Sequence, residues 1–368
     1  MNRSDLSLRK RVVVKVGTSQ LTNAQNHVDP DKMKAIVAQI ARVRKSGREV
    51  LLVTSGAVGI GLGLTGRTAY PRAIAERQAL AAMGQSRLMH MYETCFRPHN
   101  LCVGQVLLTA QDVHTRERYL NVRNTLLRLL EFGAIPVINE NDTVSVSEIK
   151  FGDNDTLSAN VALAAGADLL VLLTDTDGLF DKNPKLVKGA ERIREVKKID
   201  DRIAGLAKGS DKMTAIGGME TKITAARIAT AAGVPVVIAR GTDPDVLMDI
   251  LSGADTGTFF HPSAHGLNQK ERWIAHTRKK PGSLVVDRGC RAALLKGASI
   301  LPVGVTAVKG DFDKGDSVRV LDDKGREIGT GLSNYSAREF KEVMGQKFKE
   351  EIIHSDNFVR NENYEDTP

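Results

Sequence analysis

Five short segments of this 368-residue chain bring together side chains able to hold charged ligands. Lys15-Val-Gly17-Thr18-Ser19 directly follows an apolar run. A strand that delivers a lysine, then a glycine and two hydroxyls, can aim an ammonium and backbone N–H groups at a phosphate. Ile216-Gly217-Gly218-Met219-Glu220-Thr221-Lys222 leads into a helical pattern. Its two glycines permit close backbone approach, its helix N-terminus favours anions, and Lys222 adds a point charge. Singly, each segment reads as well as an ordinary turn; two such lysine loops in one sheet point to a paired anion site. Thr174-Asp175-Thr176-Asp177-Gly178 closes another run and suits a ribose or adenine contact, its plain reading being an Asp-Gly turn. Asn139-Glu140-Asn141-Asp142 and Phe151-Gly152-Asp153-Asn154-Asp155 fill two further loops with amides and carboxylates. Helix capping explains one such residue per loop. The surplus has the chemistry to hold an α-ammonium group.

Other signatures fail on context. Thr54-Ser55-Gly56-Ala57 leads into Gly61-Leu-Gly63-Leu-Thr-Gly66, which matches GxGxxG. The dinucleotide fingerprint needs its first glycine at the strand end and a second strand about 20 residues later. Here the match begins well past the run, and residues 72–92 read as one long helix. No Gly-Lys dipeptide occurs, so there is no Walker A loop, and Ser55 lacks the glycine of a nucleophile elbow. His261 and His265 are four apart, but Pro262 and Gly266 favour a loop and no third ligand accompanies them. No resident metal site is expected.

The elements that must position these residues are nearly continuous apolar runs at 11–16, 49–54, 101–108, 134–139, 168–174 and 234–239. Such runs predict parallel strands buried on both faces. Helical patterns separate them: Asp29-Pro30 offers an N-cap and N1, a helix runs from Thr115 to Phe132 with Gly133 closing it, and others cover 154–165 and 219–232. Alternating βα units predict a doubly wound, mostly parallel sheet sandwiched by helices, with ligands at the carboxyl ends of the strands. After a linker near 276–282, short runs with Asp-Lys-Gly turns at 313–315 and 323–325 predict a small β-rich domain. The expected division is 1–275, 280–350 and an acidic tail at 351–368.

Composition narrows the class. Hydrophobic residues at 42% and charged residues at 26% belong to an ordinary globular chain. No apolar stretch approaches the ~20 residues that cross a bilayer, so no membrane role is expected. Cys95, Cys102 and Cys290 lack CxxC spacing, which points to a reducing, cytoplasmic compartment. The net charge of +8 allows an anionic substrate or nucleic acid. Phe312, Tyr335 and Phe340 are few as base-stacking residues, which argues against RNA as the main ligand.

VVVKVGTSQL, VTSGA, QALAAMGQSRL, GQVLLT, RERYLNVRNTL, PVINENDTVS, FGDNDTLSA, LLTDTDGLF and GGMETK span residues 10 to 230 in order. With them the chain resembles the amino-acid kinase family, and within it the members that phosphorylate glutamate. The stretch SLVVDRGCRAALLKGASILPVGV, with GDSVRV, resembles a PUA domain, the small β module of RNA-modifying enzymes. The resemblance implies L-glutamate and ATP as substrates, with Mg²⁺. It also implies feedback inhibition by proline, a homo-oligomer, and hand-over of product to glutamate-5-semialdehyde dehydrogenase. By position, it assigns Ser55, Asp142 and Asn154 to glutamate, and Lys15, Thr174, Asp175 and Ile216 to Lys222 to ATP. Siblings acting on acetylglutamate or aspartate, and an RNA-binding protein, are the competing readings. A glutamate side chain with a reference pKa of about 4.3 is already ionised at neutral pH and needs no general base. Catalysis would then rest on positioning and charge, with Lys15 and Lys222 flanking the phosphoryl group and Asp155 holding the lysines.

Overall fold

The computed structural model describes the chain apart from residues 24–27, 68, 72, 146–153, 185, 208–217, 264–281, 345–350, 362–363 and 365–368. It divides into two compact units, Met1–Asp112 with Leu120–Gly266, and Val113–Tyr119 with Leu267–Pro368. The linker expected near 276–282 falls almost wholly outside the described residues.

In the first unit the six apolar runs become β1 (Arg11–Val16), β2 (Glu49–Val53), β3 (Val103–Leu108), β4 (Ile135–Glu140), β5 (Leu169–Thr174) and β7 (Val236–Arg240). They pair in parallel in the order β3-β4-β2-β1-β5-β7. Two short strands that no apolar run announces, β6 (Glu195–Val196) and β8 (Thr258–Phe260), extend the sheet past β7, and β8 runs antiparallel to it. All six residues of central β5 are buried, whereas β3, at the sheet edge, is only partly covered. This is why the central strands read as unbroken apolar runs.

Capping chemistry sets the start of the first helix. Asp29 caps α1 (Pro30–Lys45) by accepting from the N–H groups of Asp31 and Lys32. The 72–92 pattern is α3 (Ile74–Phe96), preceded by α2 (Ala57–Leu64). Then follow α4 (Ala110–His114), α5 (Arg116–Glu131), α6 (Asn154–Ala165), α7 (Asp201–Ala207), α8 (Met219–Ala231) and α9 (Val246–Ser252). The GxGxxG match lies on α2 and the turn beyond it. There Gly61 lets α3 approach so closely that an added Cβ would lie 2.1 Å from the carbonyl oxygen of Leu80. From the other side, a Cβ on Gly84 would meet the carbonyl oxygen of Ala57 at 1.8 Å. Gly61 serves helix packing, whereas a Cβ on Gly66 would meet nothing within 4 Å.

The second unit holds a five-stranded sheet in the order β10-β9-β11-β12-β13. The strands are β9 (Gly282–Val286), β10 (Val305–Gly310), β11 (Ser317–Leu321), β12 (Glu327–Leu332) and β13 (Phe358–Arg360). Gly315 (φ 92°) and Gly325 (φ 80°) close the two Asp-Lys-Gly turns in the left-handed region that favours glycine. Strand β13 comes from the segment expected to stand apart as an acidic tail. Ile352, Ile353 and Tyr364 from that segment are buried in the same core as Leu284, Phe312 and Phe340. The apolar residues among the acids explain the difference: they complete a core that strands β9 to β12 leave open. Phe312 and Phe340 are core residues rather than a stacking surface.

Replacing Gly84 with Ala should destabilise the first unit by about 1–3 kcal/mol, the usual penalty for overpacking. A thermal unfolding midpoint equal to that of the parent chain would show that α2 and α3 can separate without strain.

Candidate active site

Because β1 pairs in parallel with β2 and β5, Lys15 lies beside Val53 and Leu172. The loops leaving β1, β2 and β5 therefore open along one edge of the sheet. Over that edge, α6 carries Asp155 in its first turn, and α8 carries Lys222 in its own. The three side chains meet. Lys15 Nζ stands 2.6 Å from Asp155 Oδ1, and Lys222 Nζ donates to Asp155 Oδ2 at 3.1 Å. Thr221 Oγ1 donates to the same Oδ2 at 2.7 Å. Asp155 is fully buried, and Lys15 and Lys222 are 4% and 5% exposed.

Burial alone would push the Asp155 carboxyl upward. The ammonium of Lys15, then that of Lys222, and hydrogen bonds from Lys15 and Thr221 outweigh it and hold the group below the usual carboxylate range. One ionised carboxylate thus fixes two ammonium groups and leaves one positive charge in formal excess. A site of this kind attracts an anion without needing the lysines to move.

Asn154, one residue before Asp155, faces the strand ends of β2 and β4. Its Nδ2 donates to the carbonyl oxygen of Thr54 at 2.7 Å, to Ser55 Oγ at 2.8 Å and to Asn139 Oδ1 at 3.0 Å. Its own Oδ1 is buried with no hydrogen-bond partner among the described residues. Ser55 and Asn154, which the resemblance assigns to glutamate, are thus hydrogen-bonded to each other, and Asn139 joins them. Asp142 sits in the half-buried turn past β4. There, burial first and then the Asp142 charge raise the phenol of Tyr70 above its ordinary range, against the opposing influence of Arg77. Asp153 lies outside the described residues.

Two members of this network were given no role from the sequence. Gln85 Oε1 accepts from Asn139 Nδ2 at 2.8 Å, while Gln85 Nε2 is buried without a partner among the described residues. The hydroxyl of Tyr92 shares a 2.7 Å hydrogen bond with Thr54 Oγ1, and full burial pushes the phenol far above its ordinary range. Both stand on α3, seven residues apart and so on one face. Polar residues recurring on a buried helical stripe were the available signal.

On the other side of Lys15, Thr174 ends β5; its carbonyl oxygen accepts from Gly241 N at 2.9 Å and its hydroxyl donates to Asp175 Oδ1 at 3.2 Å. Asp175 is exposed at the rim. Gly218 caps α8, and Met219, Glu220 and Thr221 precede Lys222 in its first turn. Ile216 and Gly217 lie outside the described residues. His261 pairs with Glu195 at 3.0 Å, and His265 is outside the described residues. Among the described residues no group of three or more His, Cys, Asp or Glu could hold a metal ion, and no helix is long and apolar enough to cross a membrane.

Charged side chains gathered at the carboxyl edge of a doubly wound sheet stand where such folds bind ligands, and the chain belongs to the amino acid kinase family, whose model matches residues 10–240. A PUA domain model matches residues 282–354. Within the family the chain is similar to glutamate 5-kinases along nearly its whole length. The relative from Moorella thermoacetica is 46% identical, covering 97% of this chain and 98% of its own. That from Geobacter sulfurreducens is 45% identical over 98% and 100%, and that from Thermus thermophilus 44% over 96% and 98%. Among solved structures, carbamate kinase from Giardia lamblia bound to AMP-PNP superposes with a TM-score of 0.51 at 19% identity, covering 70% of this chain and 100% of its own. UMP kinase from Bacillus anthracis gives 0.50 at 17%, over 70% and 97%. These two share the fold.

Replacing Asp155 with Asn should destabilise the chain by about 3–5 kcal/mol at neutral pH, because two buried ammonium groups lose their counter-charge. The folded carboxyl titrates below its unfolded value, so its contribution is complete above about pH 4 and fades as pH falls through the folded value. Denaturant titrations across pH 2 to 7 check this; the variant should lose that part of the acid slope, and an unchanged slope would disprove it.

Proposed function

We propose that the chain transfers the γ-phosphoryl group of ATP to the γ-carboxylate of L-glutamate, giving γ-glutamyl phosphate and ADP. The observation that carries this reading is the Lys15–Asp155–Lys222 cluster beside the Asn154–Ser55–Asn139 amide network at one sheet edge. Anion-binding charge and amino-acid-binding amides lie side by side. The glutamate 5-kinases matched over nearly the full length support the choice of amino acid.

On this reading a carboxylate oxygen of glutamate attacks the γ-phosphorus as the bond to the β,γ-bridging oxygen breaks and its electron pair leaves with ADP. The nucleophile is ionised at neutral pH and transfers no proton to the protein. The barrier is repulsion between two anions and the shift of charge toward ADP. Lys15 and Lys222 offset both, and Asp155 keeps the two ammonium groups from separating. Ser55, Asp142 and Asn154 hold the amino acid; Thr174, Asp175 and the segment from Ile216 to Lys222 hold the nucleotide. Mg²⁺ would enter with the ATP phosphates and would supply charge neutralisation there. Proline as feedback inhibitor, a homo-oligomer, a cytoplasmic setting and delivery of the acyl phosphate to a glutamate-5-semialdehyde dehydrogenase belong to the same reading.

Hydroxylamine trapping tests it directly: ATP and glutamate should give γ-glutamyl hydroxamate. Product from aspartate or acetylglutamate and none from glutamate would assign the chain to a sibling reaction. Replacing Lys222 with Met should lower kcat by about 100-fold or more with the fold intact, as for loss of one transition-state donor. Near-normal turnover would remove Lys222 from the mechanism. Replacing Asn154 with Ala should raise the KM for glutamate far more than that for ATP, and equal effects would undo the assignment of Asn154.

A further inference from the structure

The loop leaving β5 at Thr174 must be held at a fixed height if it is to contact a nucleotide, and within it Thr176 Oγ1 donates to the carbonyl oxygen of Gly178 at 3.3 Å. Gly178 has φ 117°, in the region that favours glycine. One step on, Leu179 N donates to Thr258 Oγ1 at 2.8 Å, and Thr258 Oγ1 donates in turn to the carbonyl oxygen of Ile193 at 2.6 Å. Ile193 N returns to the carbonyl oxygen of Leu179 at 2.8 Å. A single hydroxyl therefore bridges the outgoing loop and the returning chain, and Thr258 is fully buried.

The approach is tight. A Cβ at Gly178 would lie 2.5 Å from Thr258 Oγ1 and 2.9 Å from its backbone nitrogen. The segment bearing Thr258 is itself gripped from two sides. Arg3 donates to the carbonyl oxygens of Thr256 and Gly257, at 2.8 Å each. Arg192 donates to Gly257 and to the carbonyl oxygen of Asp255, and its guanidinium also pairs with Asp177 of the loop at 3.4 Å. The loop end is thereby tied to Thr258, the first residue of β8, and to the segment that leads into it.

We propose that Thr258 is a positioning residue for the nucleotide: its hydroxyl sets where the Thr174–Leu179 loop stands at the rim of β5. This rests on the reading of that loop as the ATP side of the site. A purely structural threonine would affect stability alone; a positioning residue affects ATP selectively, because the amide network for the amino acid lies on the opposite side of Lys15.

The test uses the full chain. Thr258→Val keeps the shape and removes both hydrogen bonds, and it should raise the KM for ATP by about 10-fold or more, the scale on which a small displacement of a positioned group acts. The KM for glutamate should change less than twofold, on the same reasoning that only the nucleotide side moves. Thr258→Ser, which restores the hydroxyl, should recover most of the ATP effect. If the valine variant does not fold, Gly178→Ala decides from the opposite side by pressing a methyl group onto the same hydroxyl, with the same expected split. An unchanged KM for ATP in a variant of lowered melting temperature overturns the proposal, as does an equal rise for both substrates. Direct binding of AMP-PNP to the unaltered chain separates the two levels: if it does not bind, the ATP reading itself fails, and if it binds while the KM values of the variants match those of the parent chain, only the role of Thr258 falls.

Discussion

A carboxylate buried between two ammonium groups is the contact around which the first unit is arranged. Asp155 reaches Lys15 on β1 and Lys222 on α8 from the first turn of α6, so three elements far apart in the chain must converge on a volume of a few ångströms. Buried ion pairs contribute little net stability against a well-packed apolar alternative, because desolvation opposes the attraction. Their presence here is better understood as placement. Two positive charges that would repel each other are held a fixed distance apart, with their surplus charge facing the strand ends.

The position of β1 makes this possible. It lies between β2 and β5, so chain order moves outward in one direction through β2 and β4, and in the other through β5 and β7. The carboxyl edges to one side bear amides and hydroxyls, those to the other bear the acidic loop after β5, and the lysine stands between. Helix α3 adds support on the amide side. Its Gly84 admits α2 at backbone distance, while Gln85 and Tyr92 fasten Asn139 and Thr54. Packing and site geometry are thus one problem on that helix.

Much of this was legible in the chain itself. The central strands are covered on both faces, so their sequences are unbroken apolar runs, and loops at their ends could be found by position alone. Lys15, Asn154, Asp155 and Lys222 were readable because lysine, amide and carboxylate residues recur at those ends. Gln85 and Tyr92 were less so, since their partners lie 54 and 38 residues away and the only local signal is their recurrence on one buried helical stripe. Strands β6 and β8 escaped notice because two or three residues are too few to show a period. The segment after residue 350 was misread for the opposite reason: its acids dominate composition, while the few residues that matter for folding are Ile352, Ile353 and Tyr364.

That last strand has a bearing on how the protein is made. The core of the second unit takes Ile352, Ile353 and Tyr364 from beyond its first four strands, and β13 closes the sheet against β12. While the ribosome is still adding these residues, the sheet has an open edge and its apolar interior faces water, whereas every strand of the first unit has already been synthesised. The nascent chain therefore carries a finished sheet ahead of an unfinished one, and the interval before β13 emerges is when the growing polypeptide most needs shielding from its neighbours.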